Sequence, residues 1–376
     1  MNREQAREWM QMALELAARG RGTTRPNPMV GSVIVKDDAL IGQGFHVRAG
    51  GPHAEVHALK AAGDAARGSE MFVTLEPCCH VGRTPACTDA IIEAGVAKVW
   101  IGALDPNPKV AGKGVAALKT AGLAVELGLC EPAALALNAG YNHWMLTQRP
   151  HVILKLATSL DGKIATSSGA SQWITGPEAR RAVHELRGSV DGIMVGSGTA
   201  VSDDPSLTVR DVPYDGDPPT RLVVDSGLTL APNAKLLRDD GADVIVATTA
   251  SAPRDRWTAL ERQGATVLEV QAEEGHVDLN ALLRRLGAHE PSPLRSLLVE
   301  GGSGLAAALL RSDLVDELRV FMAPLCIGGD GLSALGSLDV VALEDAHRFT
   351  LTRLTQHGDD IEMVLHRRQE AACSQD

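Results

Sequence analysis

The chain has 376 residues, a formal net charge of −11, 44% hydrophobic residues and only 3% aromatic ones. This length fits two domains, and a core that must come from Ala, Val, Leu and Ile is typical of α/β folds with helix-covered parallel sheets. The acidic balance argues against a nucleic-acid partner. The lack of a run of about eighteen apolar residues argues against a membrane span, and the charged start argues against a signal peptide. We therefore expect a cytoplasmic protein with reduced thiols.

Hydrophobic periodicity predicts alternating elements in the first part of the chain. We expect a surface helix over 4–19 and a hairpin with strands 31–36 and 41–46, joined by residues 37–40. Further helices are predicted at 54–66, 86–94, 112–122 and 131–145, and strands at 71–75, 96–103 and 125–128. Pro150 cannot continue the last helix and precedes a strand-like run, so we predict two domains, 1–149 and 150–376.

The second domain also alternates strands and helices. Its polar end, 367–376, is expected to fray. Its apolar runs predict strands at 152–157, 192–195, 221–225, 243–248, 266–270, 296–300 and 317–323 and helices at 177–186, 254–263, 279–286 and 305–311.

Two short motifs in the first domain carry the ligands of a zinc site. One imidazole and two thiolates, from His53, Cys78 and Cys87, would fill three positions of a tetrahedral Zn²⁺ and leave the fourth open for water. Glu55 would then carry protons, as the non-ligand Glu does in zinc-dependent nucleobase deaminases. Ordinary buried thiols are the alternative. The motifs are His53-Ala54-Glu55 and Pro77-Cys78-Cys79-His80-Val81-Gly82-Arg83-Thr84-Pro85-Ala86-Cys87.

The spacing of the two ligand cysteines is unusual for deaminases, which commonly have Cys-x-x-Cys. Here Cys78 and Cys87 enclose eight residues. A helix can still present Cys87, with Thr84 as its N-cap and Pro85 in its first position. Cys79 and the adjacent histidine are spare donors that either support the site or pack incidentally.

Two glycine turns in the second domain suggest a nucleotide site. Each follows a predicted strand, and backbone N–H groups at a helix start bind phosphate well. Tight turns without a ligand are the alternative, and the lack of a ribose-binding acid makes an ordinary Rossmann fold a poor fit. Arg187 and Arg210 are candidate phosphate ligands, although single arginines are more often solvated. The turns are Val195-Gly196-Ser197-Gly198-Thr199 and Gly301-Gly302-Ser303-Gly304.

Together with two further motifs, these residues resemble the bifunctional pyrimidine deaminase/reductase of riboflavin biosynthesis over nearly the whole chain. The resemblance implies a cytidine-deaminase-like α/β/α domain that hydrolyses the 2-amino group of 2,5-diamino-6-ribosylamino-4(3H)-pyrimidinone 5′-phosphate. It implies a second, dihydrofolate-reductase-like α/β domain that reduces the ribosyl to a ribityl chain with NADPH, giving 5-amino-6-(5-phosphoribitylamino)uracil. The eight-residue spacing is the family's own form, and Ala86 stands where a second proline is common. The further motifs are Lys155-Leu156-Ala157-Thr158-Ser159-Leu160-Asp161-Gly162-Lys163 and Asp203-Asp204-Pro205-Ser206-Leu207-Thr208-Val209-Arg210.

The resemblance also implies binding residues. In addition to the zinc ligands and Glu55, the resemblance implies that Asn27, His46 and His80 contact the pyrimidine substrate. Independently of the resemblance, we expect a homo-oligomer, and the charge and hydropathy patterns predict no nucleic-acid or membrane partner. In the second domain the resemblance assigns Ser171, Arg187, Leu207, Arg210 and Glu300 to the substrate, and Ala157, Trp173, Thr199, Asp203, Ser226, Gly302, Ser303, Gly304, Leu305, Ala306, Ala307 and Ala308 to the cofactor.

Lys155 and Glu300 are our hypothesis for the proton path of the reduction. A charged residue in an apolar strand is costly unless it is paired or used, and a structural ion pair is the alternative. Two other functions are alternatives: a deaminase acting on RNA bases, and a zinc-stabilised scaffold with a nucleotide sensor. The acidic second half argues against the first, and Glu55 beside an open zinc position argues against the second.

Overall fold

Helices and strands alternate along most of the chain, which confirms the predicted α/β class. The computed structural model describes residues 2–80, 85–238, 240–289 and 292–368. A division between Gln148 and Arg149 separates two units. Within the described ranges, no helix combines the length and apolar character that a membrane crossing requires.

The first unit is built on one five-stranded sheet. Its elements are α1 (Arg3–Ala18), β1 (Gly31–Lys36), β2 (Ala39–Phe45), α2 (Ala54–Ala62), β3 (Glu70–Leu75), α3 (Cys87–Glu93), β4 (Lys98–Ala103), α4 (Lys113–Thr120), β5 (Ala124–Leu127), α5 (Glu131–Leu137) and α6 (Ala139–Thr147). The strands lie in the order β2-β1-β3-β4-β5. β1 runs antiparallel to β2 and β3, whereas β3, β4 and β5 are parallel.

Alternate residues of these strands fill two hydrophobic cores, one on each face of the sheet. Val33 and Val35 of β1 pack with residues of α1 and α5, whereas Ile34 between them packs with residues of α2 and α4. The sheet is therefore covered by helices on both faces, as the aliphatic composition indicates.

Two boundaries in the first unit differ from the sequence prediction. The hairpin turn is shorter than predicted, because Asp37 and Asp38 both adopt left-handed backbone, with φ of 50° and 58°, and β2 already begins at Ala39. The helix predicted over 131–145 is two helices that meet at Asn138. The Asn138 side chain accepts the N–H of Met29 at 2.8 Å and donates to the carbonyl of Met29 at 2.9 Å. A residue distant in sequence therefore determines the break.

The second unit is built on one nine-stranded sheet. It contains β6 (His151–Ser159), β7 (Lys163–Ala165), α7 (Pro177–Gly188), β8 (Gly192–Gly196), α8 (Ser197–Asp203), β9 (Thr220–Val224), β10 (Val244–Thr248), α9 (Arg254–Glu261), β11 (Thr266–Glu269), β12 (Ala272–Glu273), β13 (His276–Val277), α10 (Leu279–Gly287), β14 (Ser296–Val299), α11 (Ser303–Arg311), β15 (Glu317–Ala323), β16 (Leu332–Ser333), β17 (Phe349–His357) and β18 (Asp360–Arg367).

The main sheet has the strand order β11-β10-β9-β8-β14-β6-β15-β18-β17. All strands from β11 to β15 in this order are parallel, so their carboxyl ends face one edge, where ligands of open α/β sheets bind. β6 and β15 continue past the end of β14, because Val299 pairs with Leu154 while the β6–β15 ladder extends to Ser159 and Ala323.

The terminal hairpin of β17 and β18 is absent from the sequence prediction. β18 pairs antiparallel with both β15 and β17, which adds an antiparallel edge to the parallel sheet. Most residues of β17 are exposed, so the strand lacks the buried alternation that a half-buried strand displays. The short helix α8 was also not predicted.

Candidate functional site

The three predicted zinc ligands come together in the first unit. The ligand atoms of His53, Cys78 and Cys87 all lie within 4.8 Å of one another, and the described part of the chain holds no second such group of His, Cys, Asp or Glu. Nδ1 of His53 lies 3.2 Å from Sγ of Cys87 and 3.5 Å from Sγ of Cys78, so this nitrogen faces both sulfurs. One imidazole and two sulfurs fit Zn²⁺ and leave a position open. The thiol of Cys79 instead lies 3.8 Å from the carbonyl of Lys109.

Two glycines in β2 set the position of the helix that carries His53 and Glu55. A Cβ on Gly42 would lie 2.4 Å from the carbonyl oxygen of Ala58, and one on Gly44 would lie 2.8 Å from that of Ala54. Side chains at these two positions would push α2 away from the sheet. Because His53 is the N-cap of α2, this close packing also positions the metal ligand.

The two cysteine ligands are joined by the start of α3. Cys87 is the first residue of that helix, and its N–H donates to Sγ of Cys78 at 3.3 Å, while the next N–H donates to the carbonyl of Cys78 at 3.1 Å. Ala86 is the N-cap, so the prediction that Pro85 opens the helix is wrong, and the predicted cap Thr84 lies outside the described residues. The helix start favours anionic sulfur.

A hydrogen bond between the two thiols of the cluster shifts their pKa values in opposite directions. The hydrogen bond from Cys87 lowers the pKa of the Cys78 thiol to about 4, against the effect of burial. The same bond, with burial, raises the pKa of Cys87. Cys78 is therefore a thiolate at neutral pH, held beside the imidazole of His53.

Glu55 is the buried carboxyl group next to this cluster. Only 3% of its surface is exposed, and its Oε2 has no hydrogen-bond partner within the described chain. Burial, assisted by the neighbouring Cys78 charge, raises the pKa of Glu55 to about 6. A buried polar atom without a partner costs free energy, so this oxygen suits a ligand or water in the site. A pKa near neutrality also suits a group that both accepts and returns protons.

Of the predicted pyrimidine contacts, Asn27 and His46 lie at this site. Nδ2 of Asn27 is 3.0 Å from Nε2 of His46, and Nδ1 of His46 is 3.1 Å from the carbonyl of Pro52. Because a carbonyl only accepts, Nδ1 carries the proton and Nε2 accepts from Asn27. Burial lowers the pKa of His46, whose ring contacts that of His53 edge-on at 5.4 Å. His80 is exposed.

A second carboxyl group near the site was missed by the sequence analysis. Glu76 is buried and accepts the N–H groups of Gly112 at 2.9 Å, Val115 at 3.0 Å and Asp105 at 3.3 Å. Asp105 in turn accepts the hydroxyl of Tyr141 at 2.9 Å. These bonds fix the loop before α4 against the turn that carries Cys78. The available signal was an acidic residue directly after a buried strand.

In the second unit, three charged residues meet where β6 passes the end of β14. Glu300 accepts two hydrogen bonds from Arg187, at 2.6 and 3.0 Å, in a bidentate pair. Nζ of Lys155 lies 4.0 Å from Oε2 of Glu300. Another guanidinium nitrogen of Arg187 donates to the carbonyl of Thr208 at 3.0 Å. Arg187 thus donates hydrogen bonds to groups of the protein. The sequence alone favours a solvated side chain at this position.

These contacts set the charge of the cluster. Burial opposes ionisation of Glu300, but the charge and hydrogen bonds of Arg187, with Lys155, outweigh it and lower the pKa to about 2. Burial lowers the pKa of Lys155, although Glu300 acts in the opposite sense. Glu300 is therefore a carboxylate that accepts hydrogen bonds, and Lys155 is the member of the pair that has a proton to give.

The two glycine turns adjoin each other. A Cβ on Gly302, the N-cap of α11, would lie 3.3 Å from Oγ1 of Thr199 in α8, and a Cβ on Gly304 would meet open space. The side chains of Ala306 and Ala307 are buried, so these two residues of the predicted cofactor segment do not present side chains to a ligand. Half-buried positions on the same helix are Ser303, Leu305 and Ala308.

The other predicted cofactor residues lie on several different elements of this unit. Asp203 ends α8 and is exposed, and Ser226 follows β9, where its hydroxyl accepts the N–H of Val277 at 3.0 Å. Ala157 is half-buried on β6. Trp173 is 63% exposed, with the guanidinium of Arg180 4.6 Å from its ring.

The other predicted substrate residues differ in what they expose. Leu207 is buried with φ of 50°, so only its backbone is available to a ligand. The side chain of Arg210 is 50% exposed and leaves its guanidinium accessible. Ser171 is half-buried. Next to them, His184 of α7 accepts the N–H of Arg210 at 3.3 Å, a contact that sequence analysis did not predict.

Comparison with known proteins assigns a family to each unit. Residues 3–103 match the cytidine and deoxycytidylate deaminase zinc-binding region, and residues 150–363 match the RibD C-terminal domain. Riboflavin biosynthesis protein RibD of Escherichia coli K12 is 44% identical over 366 residues, which cover 94% of this chain and 97% of that protein.

Solved structures agree over nearly the full length. RibD of Acinetobacter baumannii superposes with a TM-score of 0.87 at 40% identity, covering 98% of this chain and 100% of that one. The diaminohydroxyphosphoribosylaminopyrimidine deaminase/5-amino-6-(5-phosphoribosylamino)uracil reductase of Thermotoga maritima superposes with a TM-score of 0.84 at 33% identity, covering 97% and 99%. The chain therefore belongs to the RibD family of bifunctional riboflavin-biosynthesis proteins, in which a zinc-dependent deaminase domain precedes an NADPH-dependent reductase domain.

Proposed function

We propose that this chain hydrolyses the 2-amino group of 2,5-diamino-6-ribosylamino-4(3H)-pyrimidinone 5′-phosphate and then reduces the ribosyl group to the ribityl chain of 5-amino-6-(5-phosphoribitylamino)uracil. The observation that carries the proposal is the buried, unpartnered Oε2 of Glu55 beside a three-ligand metal group. A structural metal site would need a fourth protein ligand and would have no use for this oxygen. The name of the Thermotoga maritima relative supplies the substrate class.

In the deaminase domain, His53, Cys78 and Cys87 would hold Zn²⁺. The ion supplies the Lewis acidity that makes water nucleophilic near neutral pH. Glu55 would accept a proton from the water whose oxygen bonds to the ring carbon, and it would return protons to the ring nitrogen and the departing amine, so that the C–N bond breaks, ammonia leaves and a ring carbonyl remains. Asn27, oriented by its contact with His46, is a hydrogen-bonding group for the pyrimidine edge.

In the reductase domain, NADPH supplies the hydride and the protein supplies orientation and a proton. The first turn of α11, at Gly302 and Gly304, with Thr199 of α8, offers N–H and hydroxyl groups to the cofactor phosphates. Lys155 gives the proton that balances the hydride, and its lowered pKa supports this role. Glu300 stays ionised, so we assign it two roles. It accepts hydrogen bonds from the substrate hydroxyls, and it orients Lys155.

Metal analysis paired with ammonia release tests the first reaction. We expect one zinc per chain and ammonia release from the diaminopyrimidine that is lost on chelation and returns with zinc. Full activity in protein free of transition metals would contradict the proposal. Oxidation of NADPH by the separately supplied deaminated intermediate tests the second reaction.

We further propose a homo-oligomer that works in the cytoplasm without nucleic-acid or membrane partners. Support for self-association comes from the edge strand β17, where Leu351 and Leu354 are 52% and 59% exposed. Sedimentation at micromolar concentration should give a mass above that of one chain, and a monomer would contradict the idea. Binding of RNA at low salt would contradict the assignment to a small soluble substrate.

A further inference from the structure

A long loop in the reductase domain depends on a neighbouring helix for its conformation. Residues 204–219 connect α8 to β9 without forming a helix or a strand. A loop of this length has few backbone hydrogen bonds of its own and is usually functional. This one contains Leu207 and Arg210, two residues that we assign to the substrate.

The last turns of α7 contact this loop at three points. Arg187 donates to the carbonyl of Thr208 at 3.0 Å, and Nδ1 of His184 accepts the N–H of Arg210 at 3.3 Å. A Cβ on Gly188 would lie 2.9 Å from the ring of Tyr214, so the absence of a side chain there lets that ring pack against the helix.

The chemistry of His184 suits the role of a permanent acceptor. A backbone N–H only donates, so Nδ1 must be unprotonated to accept it. The histidine is buried, and the charged groups around it are Arg187 on its own helix, Arg210 and Asp211 on the loop, and Glu300 at the end of β14. Burial and then the two arginines lower the pKa of His184 to about 4, so the ring is neutral in the cell.

We propose that His184 is a positioning residue of the reductase, which holds the Arg210 amide so that the Arg210 side chain is directed at the phosphate of the substrate. The proposal rests on the function given above. The guanidinium of Arg210 is half exposed, whereas that of Arg187 already binds Glu300 and Thr208. Arg210 is therefore the arginine that retains donors for a phosphate, and its backbone amide is the group that His184 fixes.

The test compares three variants in the full-length zinc-loaded chain. H184L removes the acceptor, H184N keeps an acceptor oxygen near the position of Nδ1, and V183A is a matched control. Val183 is a neighbouring buried residue of α7 that packs in a hydrophobic cluster with Ala179 and Phe321. The readouts are KM and kcat with 5-amino-6-(5-phosphoribosylamino)uracil, KM for NADPH, and ammonia release from the diaminopyrimidine as an internal reference.

We expect H184L to raise KM for the uracil about three- to ten-fold, in line with the loss of one neutral hydrogen bond, while kcat, KM for NADPH and ammonia release stay within about two-fold. H184N should restore KM to within about two-fold of the wild type, and V183A should leave it unchanged. If H184L does not fold, H184Q, whose acceptor is displaced from Nδ1, takes its place with the same expected rise.

Three results would overturn the role of His184. They are an unchanged KM in the variant without the acceptor, an equal rise in V183A, and a parallel loss of NADPH affinity and ammonia release. Failure of the wild-type chain to reduce the uracil would instead overturn the proposed function, and it would be recognised before any variant is compared.

Discussion

Replacement of Arg187 by methionine should destabilise the reductase unit, because it leaves the Glu300 carboxylate buried without its main partner. The two side chains are 12% and 10% exposed, so solvent screens their interaction weakly. The pKa of Glu300 falls from its ordinary 4.5 to about 2 in the folded chain, which corresponds to about 3 kcal/mol of folding free energy. Loss of one partner of a buried pair costs a similar amount, about 3–5 kcal/mol.

The pH dependence of this loss has a definite sign. The folded-state pKa of Glu300 lies below its unfolded value, so its contribution to stability is present above about pH 4.5 and is lost as the pH falls toward 2. The difference between the wild type and R187M should therefore be large at pH 7, fall to about half or less near pH 3, and be small only near pH 2. At neutral pH we expect the melting temperature of the reductase unit to fall by about 6–12 °C.

Calorimetry on the full chain measures this effect, with the deaminase transition as an internal reference. R254M is the matched control, because Arg254 pairs with Glu269 at 3.4 Å while both side chains are well exposed, at 72% and 45%. It should cost less than about 1 kcal/mol. The double variant R187M/E300Q should recover part of the loss. Equal melting temperatures for R187M and R254M, or a coupling below about 0.5 kcal/mol in the double-mutant cycle, would refute the reasoning.

Three further predictions concern the two reactions. E55Q should reduce ammonia release at least about 10²-fold while NADPH oxidation with the deaminated intermediate continues, and joint loss of both activities would argue against independent sites. C87S should lose zinc by metal analysis and lose ammonia release, whereas C79S should keep both; zinc loss in C79S would mean that the ligand set is wrong. K155A should lower reductase turnover about 10²-fold or more, and full turnover would exclude Lys155 from the proton path.

The metal site was predictable because its residues follow local signals. His53 and Cys87 both lie at helix starts, and the sequence motifs fix their order along the chain. The closeness of the three ligand atoms depends on Gly42 and Gly44, which let α2 pack directly on β2. These two positions require glycine only because α2 packs against them, and the sequence of β2 alone does not show that contact. The motif identifies the ligands, and the packing of α2 on the sheet brings them together.

The missed features have causes that are distant in sequence. The break at Asn138 results from hydrogen bonds to Met29, and a propensity scale for residues 131–145 contains no information about that contact. The strand β17 exposes most of its residues, so its pattern lacks the alternation that predicts a strand. The role of Glu76 likewise depends on three backbone groups from the loop and helix after β4.

The structure distinguishes Arg187 from Arg210 by their contacts and exposure. Sequence alone gives Arg187 and Arg210 the same candidate role, since both are arginines near a predicted nucleotide site. Arg187 donates to Glu300 and Thr208, so it links the end of β14 to the loop 204–219 and cannot turn to a phosphate without leaving Glu300 unpaired. Arg210 makes weaker contacts and is half exposed. The buried arginine therefore holds two segments of the site together, and the substrate contact that we propose for Arg210 fits its greater exposure.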